Sequence, residues 1–163
     1  MADEHAEEPE NLSEPPAFFP YGGDELPDGE LTLSRALVEV QFDHIVVSES
    51  EEVRQYYVLL TDGRRHLMIV IGGFEATAIS YGSEGVQTDR PMTHDLLVKF
   101  IESLGARIER IVIDDLWSQT YFAKIYVKRG KEEIEIDARP SDAIALAVRL
   151  DVPIFAIEGI LRD

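Results

Sequence analysis

The chain has 163 residues, no cysteine and a formal net charge of −17. The missing cysteines exclude disulfides, Cys-ligated zinc, iron–sulfur clusters and thiol nucleophiles. The length suits one ordinary domain with a real core, hydrophobic residues make up 45%, and no apolar run approaches the roughly 20 residues that cross a bilayer.

The charge is unevenly spread. Residues 1–30 hold ten of the 32 acidic residues, no Lys or Arg, and five of the eight prolines. Such a segment buries too little apolar surface to offset its ordering entropy, so a disordered acidic, Pro-rich tail is expected over 1–30 and a single folded domain over 31–163. Within the tail, Phe18-Phe19-Pro20-Tyr21 is an aromatic cluster that either docks or stays free. The domain itself carries 22 acidic against 15 basic residues, a net of −7, the wrong sign for gripping nucleic acid by phosphate neutralisation. The start, Met1-Ala2-Asp3-Glu4-His5, lacks the basic-then-apolar pattern of a signal peptide, which predicts a cytoplasmic protein.

In chain order, Leu37–Phe42 leads into His44–Val47 as a first strand-forming stretch. Tyr56–Leu60 is a second run that ends at the turn signal Thr61-Asp62-Gly63, and Leu67–Ile71 is a third. Gly72-Gly73 breaks the chain, and Phe74–Tyr81 reads as a short helix. A second helix follows Pro91, with Thr93 as N-cap, Asp95 in the first turn and Gly105 at the C-terminal cap. Its residues Leu96, Leu97, Phe100, Ile101 and Leu104 form one apolar stripe. Strands follow at Arg107–Ile113, Tyr121–Lys128 and Glu132–Asp137, the last two joined by a turn at Arg129-Gly130. A helix over Ser141–Leu150 and a short segment around Pro153–Ile160 complete the domain. An offset of 67 residues superposes "LMIVIGGFEATAI" on "IEIDARPSDAIAL", aligning Glu75 with Asp142 and the Ala-x-Ala that follows each. The pattern predicts an α+β fold: a duplicated β3α2 unit, mixed or antiparallel strands packed with short helices, one domain.

Polar residues concentrate at two corners. In Asp137-Ala138-Arg139-Pro140-Ser141-Asp142, Pro140 stops a strand, Ser141 or Asp142 is placed to cap a helix, and Arg139 can pair with Asp137 or Asp142. The same residues also suit chemistry: carboxylates hold Mg²⁺ or orient water, and a guanidinium binds phosphate. The second corner is Arg90-Pro91-Met92-Thr93-His94-Asp95. A histidine at a helix start is held neutral, as a general base requires, and the helix start also receives anions. Asp114-Asp115 reads as turn chemistry. Lys124, Tyr126 and Lys128 share a strand face that is either a modest cationic track or a protected edge. Phosphate-loop, dinucleotide-binding, nucleophile-elbow and zinc-peptidase motifs are all missing, and the histidines at 5, 44, 66 and 94 form no metal-binding spacing.

Three separated stretches carry a resemblance. "GGFEATAI" (72–79), "RPMTHDLL" (90–97) with "LGARIERIVIDDL" (104–116), and "EIDARPSDAIALAVRLDVPIF" (135–155) occur in the order found in the bifunctional nuclease domain family. The chain resembles that family from about Leu37 to Leu161, with Gly73 standing where the family typically has proline. The resemblance implies an α+β fold with a duplicated β–α unit, nuclease activity toward DNA and RNA, and a homo-oligomer. Residue chemistry within the matched motifs then nominates His94, Asp137, Asp142 and Glu75 as catalytic. It nominates Arg139, Arg90 and Ser141 as phosphate-binding, and Asp137, Asp142 and Asp95 as ligands for Mg²⁺ or Mn²⁺. The competing expectation is a non-enzymatic, oligomeric regulatory or ligand-binding module whose polar motif holds a small anion or another subunit.

Overall fold

The computed structural model describes residues 36–50, 53–117 and 120–163; the expected tail, 1–30, lies outside them. Seven strands and three helices follow one another as β1 (Leu37–Glu49), β2 (Arg54–Thr61), β3 (His66–Ile71), α1 (Gly73–Ser83), α2 (Thr93–Ser103), β4 (Ala106–Trp117), β5 (Thr120–Arg129), β6 (Glu132–Ala138), α3 (Pro140–Leu150) and β7 (Ile154–Ile157), ending in a 3₁₀ turn at Glu158–Ile160. The fold is α+β, with one mixed sheet in the order β3-β2-β1-β7-β4-β5-β6. Neighbours are antiparallel except β4 and β7, which run parallel. The halves share the order β-β-β-α and part at the fifth element, where the first has a helix and the second a strand. The second half is therefore not a β3α2 unit.

The first strand-forming stretch is one strand, β1, and it carries a bulge. Phe42 pairs with Leu60 and His44 with Leu59, leaving Asp43 as the extra residue. A bulge shifts the alternation by one. Even-numbered Val38, Val40 and Phe42 face the core before it, and odd-numbered Ile45 faces the core after it. Strand β1 pairs with β7 over Leu37–Val40 and with β2 from Gln41 onward, so it links the two wings of the sheet. Strand β4 carries two bulges of its own, near Glu109 and Asp114. Asp114 and Asp115 are thus strand residues at a bulge, and not the turn that adjacent carboxylates suggested.

The helices cover one face of the sheet. Ala143, Ile144, Ala145, Leu146 and Ala147 are at most 1% exposed, because α3 is wedged between α1, α2 and strands β4 and β5. A helix apolar all round belongs in such a place. Small residues let α1 approach it closely: a Cβ on Gly82 would lie 2.7 Å from Arg149 Nη1 and 2.8 Å from Val148 Cγ2. Helix α2 packs with Val98 and Ile101 turned inward, while Leu96, Leu97, Phe100 and Leu104 of its apolar stripe stay 40–61% exposed. No helix among the described residues is long and apolar enough to cross a membrane.

Candidate active site

Helices α1 and α3 each begin where an outermost strand of the sheet ends, and α2 packs on α3 and β4. Their first turns carry Glu75, Asp142 and His94 respectively, so the side chains that meet there stand at helix N-termini. At α3, Pro140 occupies the first helical position and Arg139 is the N-cap. The Arg139 carbonyl accepts the N–H groups of Asp142 and Ala143, both at 3.1 Å. No side chain caps this helix, so the capping expected of Ser141 or Asp142 is not how the helix starts. Proline supplies the φ angle the first turn needs and has no N–H to satisfy, which frees the Asp142 carboxylate for other partners.

Those partners define the site. Arg139 Nε donates to Asp142 Oδ2 at 2.7 Å and Nη2 to Oδ1 at 3.2 Å, a forked pair. Nη1 of the same guanidinium donates to Glu75 Oε1 at 3.1 Å. His94 Nε2 lies 3.2 Å from Asp142 Oδ1. Two corners 48 residues apart in sequence thus share one carboxylate. An ionised carboxylate only accepts hydrogen bonds. His94 Nε2 therefore carries a proton toward Asp142, and in the neutral ring the lone pair is on Nδ1. Burial acts to raise the Asp142 carboxyl, but Arg139 and His94 outweigh it and hold it below the usual aspartate range. Asp142, and then Glu75, hold the Arg139 guanidinium firmly charged. The imidazole is 14% exposed and the Arg139 side chain 65%, so the ring is shielded while the cation faces solvent.

Two residues outside the nominated set, Gly72 and Arg149, hold the cluster in place. A Cβ on Gly72 would run into the Glu75 carboxylate, so glycine at the α1 N-cap gives that side chain room to fold back toward Arg139. Next to His94, Asp95 accepts the Met92 N–H at 3.0 Å, which makes Met92 the N-cap and Thr93 the first helical residue. The other Asp95 oxygen accepts Arg149 Nε at 2.7 Å, and Arg149 Nη1 donates to the carbonyls of Ala78 and Ala145, both at 2.8 Å. One guanidinium therefore ties together all three helices. Hydrogen bonding from Arg149, opposed by burial, holds the Asp95 carboxyl below its usual range. The signal in the sequence was modest: Arg149 lies two helical turns after Asp142, on the same face of α3.

Other nominated residues stand apart. Asp137 shares a strand side with Glu133 and Glu135, away from the helices. Arg90 is exposed in the loop before α2, and among the described residues no hydrogen bond joins its side chain to the cluster. Ser141 is buried, at 7% exposure, and lines an adjoining cleft of about 380 Å³ with Glu75 and Arg139. A larger cavity, about 710 Å³ between β1, β7 and the end of α3, is lined by none of the cluster. Lys124 offers no track for a polyanion, since its ammonium sits 2.6 Å from Glu135 and 3.2 Å from Asp114. Arg110 is similarly committed, to Glu133 at 2.8 Å and to the Tyr126 ring at 3.8 Å. The nominated carboxylates do not fit a Mg²⁺ or Mn²⁺ site as arranged. Asp142 and Asp95 are each taken by a guanidinium, Asp137 lies elsewhere, and the described residues include no group of three His, Asp or Glu disposed to hold an ion.

The model of the bifunctional nuclease domain matches residues 58–163, which include every member of the cluster. The chain belongs to the bifunctional nuclease domain family. It is 41% identical over 102 residues to an uncharacterized protein of Mycobacterium tuberculosis, covering 63% of this chain and 60% of that one. It is 25% identical over 91 residues to bifunctional nuclease 1 of Arabidopsis thaliana, covering 54% of this chain and 28% of the relative. Against bifunctional nuclease 1 of Oryza sativa subsp. japonica the identity is 32% over 72 residues, covering 42% and 22%. The chain thus spans less than two thirds of the mycobacterial relative, and less than a third of these two plant nucleases.

Proposed function

We propose that this protein is a phosphodiesterase acting on DNA or RNA, with its chemistry at His94, Asp142, Arg139 and Glu75. The observation that carries the reading is the His94–Asp142 contact of 3.2 Å at converging helix starts, beside a guanidinium with N–H groups to spare. Asp142 fixes the imidazole so that Nδ1 takes the proton from an attacking water as its oxygen bonds to phosphorus and the ester oxygen leaves. Three Arg139 N–H groups are engaged. A guanidinium has five, which leaves two for a phosphate oxygen, and helix N-termini favour the same anion. Glu75 holds the guanidinium from its other side. The acidic surface makes binding weak and salt-sensitive.

The test is cleavage of labelled DNA and RNA by highly purified protein, with and without Mg²⁺ or Mn²⁺, beside His94→Ala and Asp142→Asn. Removing a base or its orienting partner should lower the rate by about 10²–10⁴-fold. Cleavage that persists unchanged in both variants belongs to a contaminating nuclease. The net charge of −7 over residues 31–163 (22 acidic, 15 basic) opposes a polyanionic substrate and so favours a second reading, a non-enzymatic, oligomeric regulatory or ligand-binding module. Binding of a small ligand such as inorganic phosphate, with no cleavage of DNA or RNA, would establish it.

Self-association has a candidate surface on α2. Leu96, Leu97, Phe100 and Leu104 form an uncharged, outward stripe at 40–61% exposure. Clustered exposed apolar side chains of this kind mark association surfaces when they form a large patch. A second copy presenting the same stripe about a two-fold axis would cover it.

A further inference from the structure

The cleft beside the cluster has features that the hydrolytic chemistry does not use. It is about 380 Å³ and is lined by β3 from Met68 to Ile71, Gly72, Glu75, Thr120, Tyr121 and the start of α3 from Arg139 to Ser141. Strand β3 is an outermost strand of the sheet. His66 exchanges both main-chain hydrogen bonds with Arg162, at 2.7 and 2.8 Å, so its N–H and C=O point away from β2. In an antiparallel pair that direction alternates with each residue. The N–H and C=O groups of Met68 and Val70 therefore also point outward, and the Arg162 pairing is an isolated bridge at His66. Among the described residues no further strand takes up this edge. The Met68 and Val70 side chains are 52% and 57% exposed, and Tyr121 packs partly buried against the core.

We propose that this cleft receives the base of a single unpaired nucleotide, held against Tyr121 and the free edge of β3, with its phosphate at Arg139. The inference rests on the phosphodiester reading of the adjoining cluster. A nucleobase offers a π face and an edge of alternating donors and acceptors. An aromatic wall matches the first, and outward main-chain N–H and C=O groups match the second. The volume falls in the range of small-molecule sites, roughly 300–1,000 Å³, and Arg139 reaches it from solvent with two N–H groups left. A paired, stacked base cannot enter such a cleft without leaving its duplex. The substrate class is thus single-stranded DNA or RNA, or unpaired stretches within folded RNA. Stacking on one aromatic ring tolerates any base, so sequence preference is weak.

The test is fluorescence anisotropy at low ionic strength with a labelled single-stranded 12-mer and the same sequence as a duplex, on full-length wild type, Tyr121→Ala and Tyr121→Phe. The single strand should bind more tightly than the duplex. Tyr121→Ala should weaken single-strand binding about ten-fold, and Tyr121→Phe should preserve it, with all three proteins melting alike. A Tyr121→Ala variant that melts as wild type and binds the single strand equally well overturns the proposal, as does equal affinity for the duplex. The two readings fail separately. Cleavage lost in His94→Ala but KM unchanged in Tyr121→Ala removes the cleft and keeps the hydrolytic cluster. Tyr121-dependent binding with no cleavage by wild type keeps the cleft and removes the cluster's chemistry.

Discussion

Replacing Asp95 tests whether this carboxylate is a structural clamp or a metal ligand. Its partner Arg149 is 9% exposed, while Asp95 itself is 34% exposed. Removing one member of a buried ion pair costs about 3–5 kcal/mol, because the other charge is left desolvated. Here the guanidinium keeps two carbonyl partners and water reaches the Asp95 side, which together reduce the loss to about 2 kcal/mol. Asp95→Ala also removes the bond to the Met92 N–H, a cap worth about 0.5–2 kcal/mol, for a total near 3 kcal/mol. Asp95→Asn retains the cap and the shape and should cost about 1–2 kcal/mol. Domains of this size are stable by roughly 5–15 kcal/mol and shift about 4 °C per kcal/mol. Asp95→Ala should therefore melt about 12 °C early. The assay is equilibrium urea unfolding of wild type, Asp95→Ala, Arg149→Met and the double variant, where a coupling of at least about 1 kcal/mol is expected. Additivity within about 0.5 kcal/mol would refute the clamp. The pH dependence has a definite sign. Arg149 holds the folded-state carboxyl below its unfolded value of about 3.9. The contribution is thus complete above that pH and fades as the pH falls through the folded value, so wild type and Asp95→Asn should converge in acid.

Gly72→Ala places a methyl where the Glu75 carboxylate folds back; steady-state kinetics should show a rise in KM for nucleic acid with little change in melting, as Glu75 releases Arg139. Lys124→Met should leave oligonucleotide affinity unchanged in anisotropy titrations, because Glu135 and Asp114 already hold that ammonium; a clear loss would mean that the sheet face takes part in binding. Its cost in stability should stay below about 1 kcal/mol, as for other solvent-facing ion pairs. Leu96→Glu combined with Phe100→Glu should convert any oligomer to monomer in sedimentation analysis without unfolding the domain, since both side chains are more than half exposed. An unchanged sedimentation coefficient would place the interface elsewhere.

Much of this molecule is legible residue by residue, because local rules decide it. Alternation exposes the strands, Pro140 marks the start of α3, and the Gly72-Gly73 break separates β3 from α1. The carboxylates, imidazole and guanidinium of the cluster are visible as chemistry within the corner motifs, since their residue types alone limit what they can do. Pairing between distant segments is a different matter. Nothing local indicates that β7 slots between β1 and β4, that β1 bulges at Asp43, or that His94 reaches Asp142 while Asp137, five residues before Asp142, turns to the opposite side of the sheet. A one-residue step along a strand reverses a side chain's direction, and the packing of three helices on one face chooses which direction becomes the site. The apolar stripe of α2 makes the same point. Its periodicity announces a helix, but only the seat of α2 on α3 and β4 decides that Val98 and Ile101 go inward and Phe100 is left for another surface.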